Sequence, residues 1–578
     1  MPSPHDTLAP VISAAIAAAF GDEHRGADPV LRSSQFADLQ SNAALALAKR
    51  LGMPPREVAT RLVQALDVTG VCERVEISGP GFVNLTLADS WIAAMVQQVA
   101  EDPRLGVEVE PALVVPIDYS APNVAKEMHV GHLRTTVVGD ALARTLEYLG
   151  HRVIRQNHVG DWGTNFGMLV EHLLEVGESS EAARLVETDP NAFYQAARVK
   201  FDGDDGFADR ARARVVALQA GDGETVRLWR SLYEMSKHYF NRIYAALDVT
   251  LTDADLAGES TYNDDLPGLC AELQERGIAV ESEGALCVFL PGFTGREGKP
   301  VPLIVRKSDG GYGYGTTDLA TIRHRVRDLD ADRLIYVVGA TQSLHLQMIF
   351  ATARLAGWLP EDVEVVHVQI GNVMGEDRKL LRTRAGDSLR LMALIEEAVE
   401  AARGVLDEAR PDLPESTRHT LAWQIGVGAI KFADLSVAHD SEYVFDLARM
   451  VSLTGNTGPY LQYAAARIRS IFRAAGLDAS DPQARSIAVV EPAERALALA
   501  LLEFGSVVRQ VGADLGPHRL CAYLFELAQT FSAFYEVCPV LKAPDEATRQ
   551  SRLALCAATF RVMEQGLALL GIATPDQM

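Results

Sequence analysis

The chain is poor in several things that would each have named a class. Of 578 residues only 6 are cysteines, at positions 72, 270, 287, 521, 538 and 556. They are scattered, with no CxxC and no metal-ligand spacing, which argues against a disulfide framework and a zinc module and for a reducing compartment. No apolar run approaches the length of a bilayer span. The N-terminal "VISAAIAAAF" is ten residues long and follows Asp6 rather than a basic cluster, so it does not read as a secretory leader. A cytoplasmic enzyme with no membrane or DNA partner is the expectation. Positive charge is also scarce, with a net charge of −23, although a large acidic protein can still gather the local basic patch that phosphate contacts need. There is no GxxxxGK[ST], and "GGYGYG" has the wrong spacing for a dinucleotide fingerprint. Low-complexity tracts and internal repeats are absent too.

What is present is ordinary in bulk and specific in detail. Hydrophobic residues make up 48% and charged residues 23%, as in a soluble globular protein. The length exceeds what one hydrophobic core supports, so about three or four domains are expected. Residues 1–110 read as a small α+β unit. It has helix-like stretches broken at Pro54-Pro55, then "RVEISGPGFVNLTLA", strand-like around a turn at Gly79-Pro80-Gly81. Its basic group of Lys49, Arg50, Arg56 and Arg61 is by itself as well explained by a solvated helix face. From 111 to about 450, apolar runs such as "ALVVPIDYS" and "DRLIYVVGA" alternate with amphipathic helices. That texture predicts a Rossmann-like, parallel, doubly wound α/β domain. A charged, helical insertion over about 178–300 splits it, and linking helices close it over about 391–450. Residues 451–578 read as an all-α bundle, with nothing strand-like after 391.

The informative stretch is "SAPNVAKEMHVGH", Ser120 to His132, between the apolar run "ALVVPIDY" and the helix-like "LRTTVVGDALARTLEYLG". His129 and His132 stand three apart, which places them on one face if both are helical. A helix start after a parallel strand is where anions bind. Two imidazole donors there, with Gly131 admitting a ligand to the backbone, suit a polyphosphate. An isolated HxGH would be a chance match; at a strand's carboxyl end, inside the run Pro122 to His132, chance is a poor explanation.

"HVGH" resembles the ATP-binding signature of class I aminoacyl-tRNA synthetases. The longer run from "SAPNVAKEMHVGH" through "GHRVIRQNHVGDWGTNFGML" is similar to the arginyl-tRNA synthetase family, as are "GYGTTDLATIRHR", "DRLIYVVGATQSLH" and "EYVFDLARMVSLTGNTGPYLQYAAARIRS". The resemblance covers essentially the whole chain. It implies arginine–tRNA ligase activity. ATP, with Mg²⁺, would activate arginine to the adenylate, and the arginyl group would pass to the 3′-terminal adenosine of tRNA(Arg), releasing AMP and pyrophosphate. The family also suggests a monomer, with no tightly bound cofactor and no protein-built metal site.

Residue by residue, the resemblance assigns His129, Gly131 and His132 to ATP. The family's second signature, KMSKS, is degenerate here as "KLLRTRAGD", with Arg382 and Arg384 the nearest cations. In similar enzymes a lysine ahead of HVGH substitutes, and Lys126 is that residue by position. Asp118, Tyr314 and Asp318 match guanidinium-binding positions, and Asn123 and Gln342 those that hold the amino and carboxylate end. A guanidinium is a planar fork of donors that carboxylates match, and a substrate lacking a cation would leave Asp118 and Asp318 unpaired. The alternative role for Asp318 is a helix N-terminal charge. Asp161 reads as a turn or cap and Trp162 as core.

Tyr460, Tyr463 and Arg467 share one helical face, with Arg469 and Arg473 nearby. Aromatic and arginine surfaces stack splayed bases, although a buried bundle helix would show the same spacing; the resemblance favours tRNA. Two rivals remain at this level, another class I aminoacyl-tRNA synthetase and a non-catalytic tRNA-binding paralogue.

Overall fold

The computed structural model describes residues 3–124, 126–295, 298–381, 389–478 and 486–578. Its central sheet has four strands, β1 (Val114–Asp118), β2 (Arg152–Gln156), β3 (Arg333–Gly339) and β4 (Glu364–Ile370). They lie in the order β4-β3-β1-β2, all parallel, as the alternating texture predicts. "VVPID" is apolar throughout because β1 is buried on both faces. Pro116 brings no N–H to the ladder, and pairing with β3 begins only at Ile117.

Helix α1 (Gly131–Leu149) carries the chain from β1 to β2. It lies so close to the strand end that a Cβ on Gly139 would stand 2.3 Å from the Tyr119 Cβ, a space only glycine leaves open. Helix α2 (Tyr314–Arg327) precedes β3 and α3 (Ser343–Leu355) follows it. From β1 the chain goes first to β2 on one side, and later to β3 and β4 on the other. Such a reversal opens a crevice outside the carboxyl ends of the two middle strands.

The region between β2 and β3 departs from the expected purely helical insertion. Helices do run from Thr164–Val176 to Gly223–Ala246, with Leu266–Glu275 beyond. Then Ala279–Ser282, Ala285–Thr294 and Pro300–Arg306 form an antiparallel sheet of three strands. Their apolar residues build a second core with Leu319 and Ile322 of α2 and with Leu334 and Tyr336 of β3. That core seats α2 over the crevice. The charged helices before it obscured the short alternating runs that mark these strands.

Past 391 the regular elements among the described residues are helices except for Tyr443–Val444, which pairs in parallel with Val373–Met374. Pro492–Asp514, 23 residues, is long and apolar enough by composition to cross a bilayer, which the sequence reading overlooked. It is two helices meeting at Glu503, and Leu497, Leu501, Phe504 and Val508 are buried in the bundle. The N-terminal unit is a four-stranded antiparallel sheet with helices. It docks on the bundle through Arg495, which donates to both Asp38 oxygens at 2.6 and 2.7 Å and to Asp89 at 2.7 Å. Of its basic group, Arg56 donates to the Gly79 carbonyl and Arg61 pairs with Glu57, whereas Lys49 and Arg50 end a helix in solvent.

Helix α1 is anchored from its far side by Arg134. Its Nε donates to Asp434 at 2.7 Å and its Nη1 to the Ser441 carbonyl at 2.6 Å, with both side chains buried. Burial pushes the Asp434 carboxyl up to about 6 although Arg134 opposes the shift. Arg134→Met would leave that acid buried without its cation, a change that costs about 3–5 kcal/mol. The expected outcome is a correspondingly lower urea midpoint with collapse of the site on α1; a loss below about 1 kcal/mol would contradict the anchoring role.

Candidate active site

A cavity of about 420 Å³ opens at the carboxyl ends of β1 and β3, lined by Ser120, Asn123, His129, His132, Gly339 and Gln342 among others. The chain enters it from β1 through Ser120 and Ala121, both with positive φ (69° and 45°). Two consecutive non-glycine residues there cost about 1–3 kcal/mol each. Thr136 donates to the Ser120 hydroxyl at 2.9 Å and the Ala121 N–H donates to Asn157 at 3.1 Å, which holds the turn.

The two histidines meet differently from the expected helical face. Helix α1 begins at Gly131, so His129 stands ahead of it. The His132 N–H donates to the His129 carbonyl at 2.8 Å, which folds the two rings to 4.1 Å between centroids. The His129 N–H donates to His132 Nδ1 at 3.1 Å, and the Gly131 N–H to His129 Nδ1 at 3.0 Å. A backbone N–H can only donate, so each Nδ1 offers its lone pair, and the proton of each neutral ring sits on Nε2. Burial, then the nearby Lys126 charge, lowers the His129 pKa. Burial and His129 bring His132 down to about 3. Both rings are therefore uncharged Nε2–H donors at neutral pH.

Gly131 has a reason beyond the expected one. A Cβ there would lie 2.8 Å from the His129 ring, so the glycine makes room for the imidazole. The segment is also stitched to the chain beyond the degenerate loop. The Val130 N–H donates to the Leu389 carbonyl and the Leu391 N–H to that of Met128, each at 2.9 Å. Arg382 and Arg384 lie outside the described residues. Lys126 holds its ammonium 5.3 Å from the Tyr194 ring centre, at the edge of a neighbouring cavity between the insertion and helix Leu391–Ala409.

The expected carboxylates are not bare. Arg325 donates from Nη2 to Asp118 at 2.8 Å, both groups buried, and leaves the other Asp118 oxygen without a hydrogen-bond partner. Asp318, on the second turn of α2, contacts His345 Nε2 at 2.5 Å through Oδ2. Its Oδ1 lies 3.5 Å from His158 Nε2, an ion-pair distance without hydrogen-bond geometry. A substrate lacking a cation would therefore not leave both acids unpaired, because the protein supplies its own cations. Burial opposes the charge on Asp318, but the two imidazoles hold its carboxyl far below the usual range. Burial would discharge His158, yet Asp318 and Asp118 push it up to about 9. Asp318 also lies past the first turn of α2, so the helix dipole is not its explanation.

Tyr314 is 68% exposed, its ring edge-on to His345 at 4.8 Å. Asp161 accepts from the N–H and hydroxyl of Ser260 at 2.9 and 2.6 Å, a capping role, and Trp162 is buried against Trp229. His158, His345 and Arg325 were missed by sequence reasoning. Their signal was position, since His158 sits just past β2 and His345 just past β3, at the strand ends where ligands bind.

In helix α4 (Gly458–Ala475), Tyr463 and Arg467 are exposed, and the Arg467 guanidinium lies 4.6 Å over the Tyr535 ring. Tyr460 is half-buried against Phe525. Arg469 and Arg473 are engaged by the C-terminal tail, through the Asp576 carboxylate and carbonyl.

Comparison with known proteins bears on the whole chain. The model for the catalytic domain of class I (R) tRNA synthetases matches residues 95–447. The DALR anticodon binding domain matches 461–578, and the arginyl tRNA synthetase N terminal domain matches 6–87. The chain is 66% identical to an arginine–tRNA ligase of Thermobifida fusca over 578 residues, all of both chains. It is 53% identical to one from Frankia casuarinae, covering 96% of each. The arginyl-tRNA synthetase structure from Plasmodium falciparum superposes with a TM-score of 0.84 at 27% identity over 100% of both chains. The Thermus thermophilus structure does so at 0.80 and 26%, over 99% of this chain and 100% of that one.

Gly131→Ala is expected to push the His129 ring aside. A displacement near 1 Å at a reacting group can cost roughly a hundred-fold in turnover, with the thermal midpoint barely moved. Unchanged turnover would show that the ring yields without consequence.

Proposed function

The chain belongs to the arginyl-tRNA synthetase family and is an arginine–tRNA ligase, and from that premise we propose how its residues divide the work. ATP is the substrate that activates arginine to the adenylate; the arginyl group then passes to the 3′-terminal adenosine of tRNA, with AMP and pyrophosphate released. The observation that carries the assignment is the pair of uncharged Nε2–H donors at the crevice. They meet phosphate oxygens without a positive charge that ground-state ATP would bind as tightly as the transition state. Gly131 keeps the His129 ring in place, and Asn123 and Gln342, on the cavity wall, hold the amino and carboxylate end of arginine. Asp318 takes the guanidinium, Tyr314 covers it, and Asp118, paired with Arg325, offers its remaining oxygen as an acceptor beneath.

Among the described residues no cluster of three His, Cys, Asp or Glu could hold a metal ion. Mg²⁺ would accompany the ATP phosphates, which with water satisfy its coordination, and no step here depends on a protein ligand for it. Residues 1–110 and 451–578 hold tRNA(Arg) on either side of the catalytic unit, 111–450, with Tyr463 and Arg467 offering the stacking surface and Tyr460 backing it. The enzyme acts as a cytoplasmic monomer.

Two measurements test this reading. Asp318→Asn keeps shape and removes charge; loss of a charge-assisted bond is worth about 1.5–3 kcal/mol, hence roughly ten- to a hundred-fold in kcat/KM for arginine. ATP affinity should stay. An unchanged arginine response would remove Asp318 from the clamp.

The second concerns the cation for the departing pyrophosphate, which we assign to Lys126, with Arg382 and Arg384 as the rival source. Its charge already reaches both histidines, and its flexible stem can leave the Tyr194 ring. Losing such a transition-state donor costs on the order of a hundred-fold in kcat. Lys126→Met should show that loss in tRNA-dependent adenylate formation, and Arg384→Met much less. The reverse order would give the role to the arginine.

A further inference from the structure

Asp318 offers no open face to an incoming guanidinium. Oδ2 is held by His345 at 2.5 Å and Oδ1 faces His158 at 3.5 Å. The two imidazoles are not equivalent. His345 has Asp318 as its hydrogen-bond partner and lies at the start of α3 beside the exposed Tyr314, where a side-chain rotation frees it. His158 is fixed, since its Nδ1 lies 2.8 Å from the Ala257 carbonyl, an acceptor that requires the proton there. Its Nε2 then faces a carboxylate, and a bare lone pair in that position would repel it; only the doubly protonated ring satisfies both contacts.

Resting on the reading of Asp318 as the guanidinium clamp, we propose that His158 is a specificity-determining residue that occupies the place of the substrate's charge. In the arginine-free enzyme its imidazolium neutralises Asp318. When the guanidinium arrives, His345 swings off Oδ2, and the Nε2 proton of His158 leaves to the buffer. The ring remains, neutral, on the Ala257 carbonyl, and its bare Nε2 accepts from an N–H of the guanidinium, which now stands between it and the carboxylate. The pocket then keeps one cation where it held one before, and a ligand without positive charge has nothing with which to expel the proton.

The surroundings support the exchange. His158 is faced by Asp318 and Arg325 from α2, by Asp118 from β1, by Asp161 from the loop after β2, and by Glu259 and Tyr262 from the 3₁₀ helix Glu259–Asp265. Asp118 is already neutralised by Arg325. Burial raises Asp161 and brings Glu259 up to about 7, so burial works against the negative charge that either adds beside His158. Two cations, the guanidinium and the His158 imidazolium, cannot share Asp318 at contact distance in a buried site. The sign follows from linkage. His158 is charged below about 9 when arginine is absent, so binding that discharges it strengthens as pH rises toward that value. One proton released gives roughly a tenfold change in Kd per pH unit.

The test is calorimetry of arginine binding to the full-length enzyme in buffers of different ionisation enthalpy. Wild type should release about one proton near pH 7.5. His158→Gln should abolish the release and flatten the pH dependence, whereas His345→Gln and Glu259→Gln should retain it. Nitrogen-15 resonances of the wild-type His158 ring supply the same answer without a variant: imidazolium before arginine, neutral with it. No proton released, a release that survives His158→Gln, or a ring unchanged by arginine would overturn the proposal. If any of these occurs while Asp318→Asn still loses arginine, the proposal falls and the clamp stands. Normal arginine binding by Asp318→Asn would remove the clamp itself.

Discussion

Two hydrogen bonds set the character of the site, those from the backbone N–H groups of His129 and Gly131 to the Nδ1 atoms of His132 and His129. They fix which nitrogen of each ring bears the proton, and burial keeps the rings uncharged. An imidazolium pair would attract any polyanion from solution, including the product. A neutral Nε2–H pair acts mainly at hydrogen-bonding distance, where a shift in oxygen position or charge during the reaction is felt most. The rest of the fold serves to hold these bonds. Gly131 spares the His129 ring, Gly139 lets α1 close on the end of β1, and Arg134 pins α1 to the helices beyond the sheet.

The substrate side obeys the complementary constraint. The carboxylates facing His158 do not stand bare: Asp118 has Arg325, Asp318 has His345 and His158, and burial works against the charge on Glu259. A buried bare carboxylate would cost several kcal/mol. On the proposed reading of Asp318 as the guanidinium clamp, the empty pocket is stabilised by a charge that can later be exchanged, and histidine is the residue whose charge is most readily withdrawn.

Much of this was legible in the residues. Continuous apolar runs alternating with amphipathic helices gave the parallel sheet, and "HVGH" at a strand end marked the crevice. What stayed hidden were contacts between segments remote in sequence. Arg134 and Asp434 are 300 residues apart, and Arg325 reaches Asp118 across 207; no local pattern announces either. The insertion's strands were masked by charged helices beside them. Gly131 was read as room for a ligand; that it also spares its neighbour's ring was hidden, because only coordinates show where the His129 imidazole lies. In α4 the shared face hid separate fates: Tyr463 and Arg467 face solvent while Tyr460 is half-buried, and the nearby Arg469 and Arg473 serve the C-terminal tail.

The central claim concerns proton positions, and nitrogen-15 NMR of the histidine-labelled enzyme near neutral pH reads them directly. Resonances assigned through His129→Gln and His132→Gln should show, for both rings, a protonated Nε2 and a bare, hydrogen-bonded Nδ1, with no titration to imidazolium through the ordinary histidine range. An Nδ1–H tautomer, or either ring charged at neutral pH, would contradict the account.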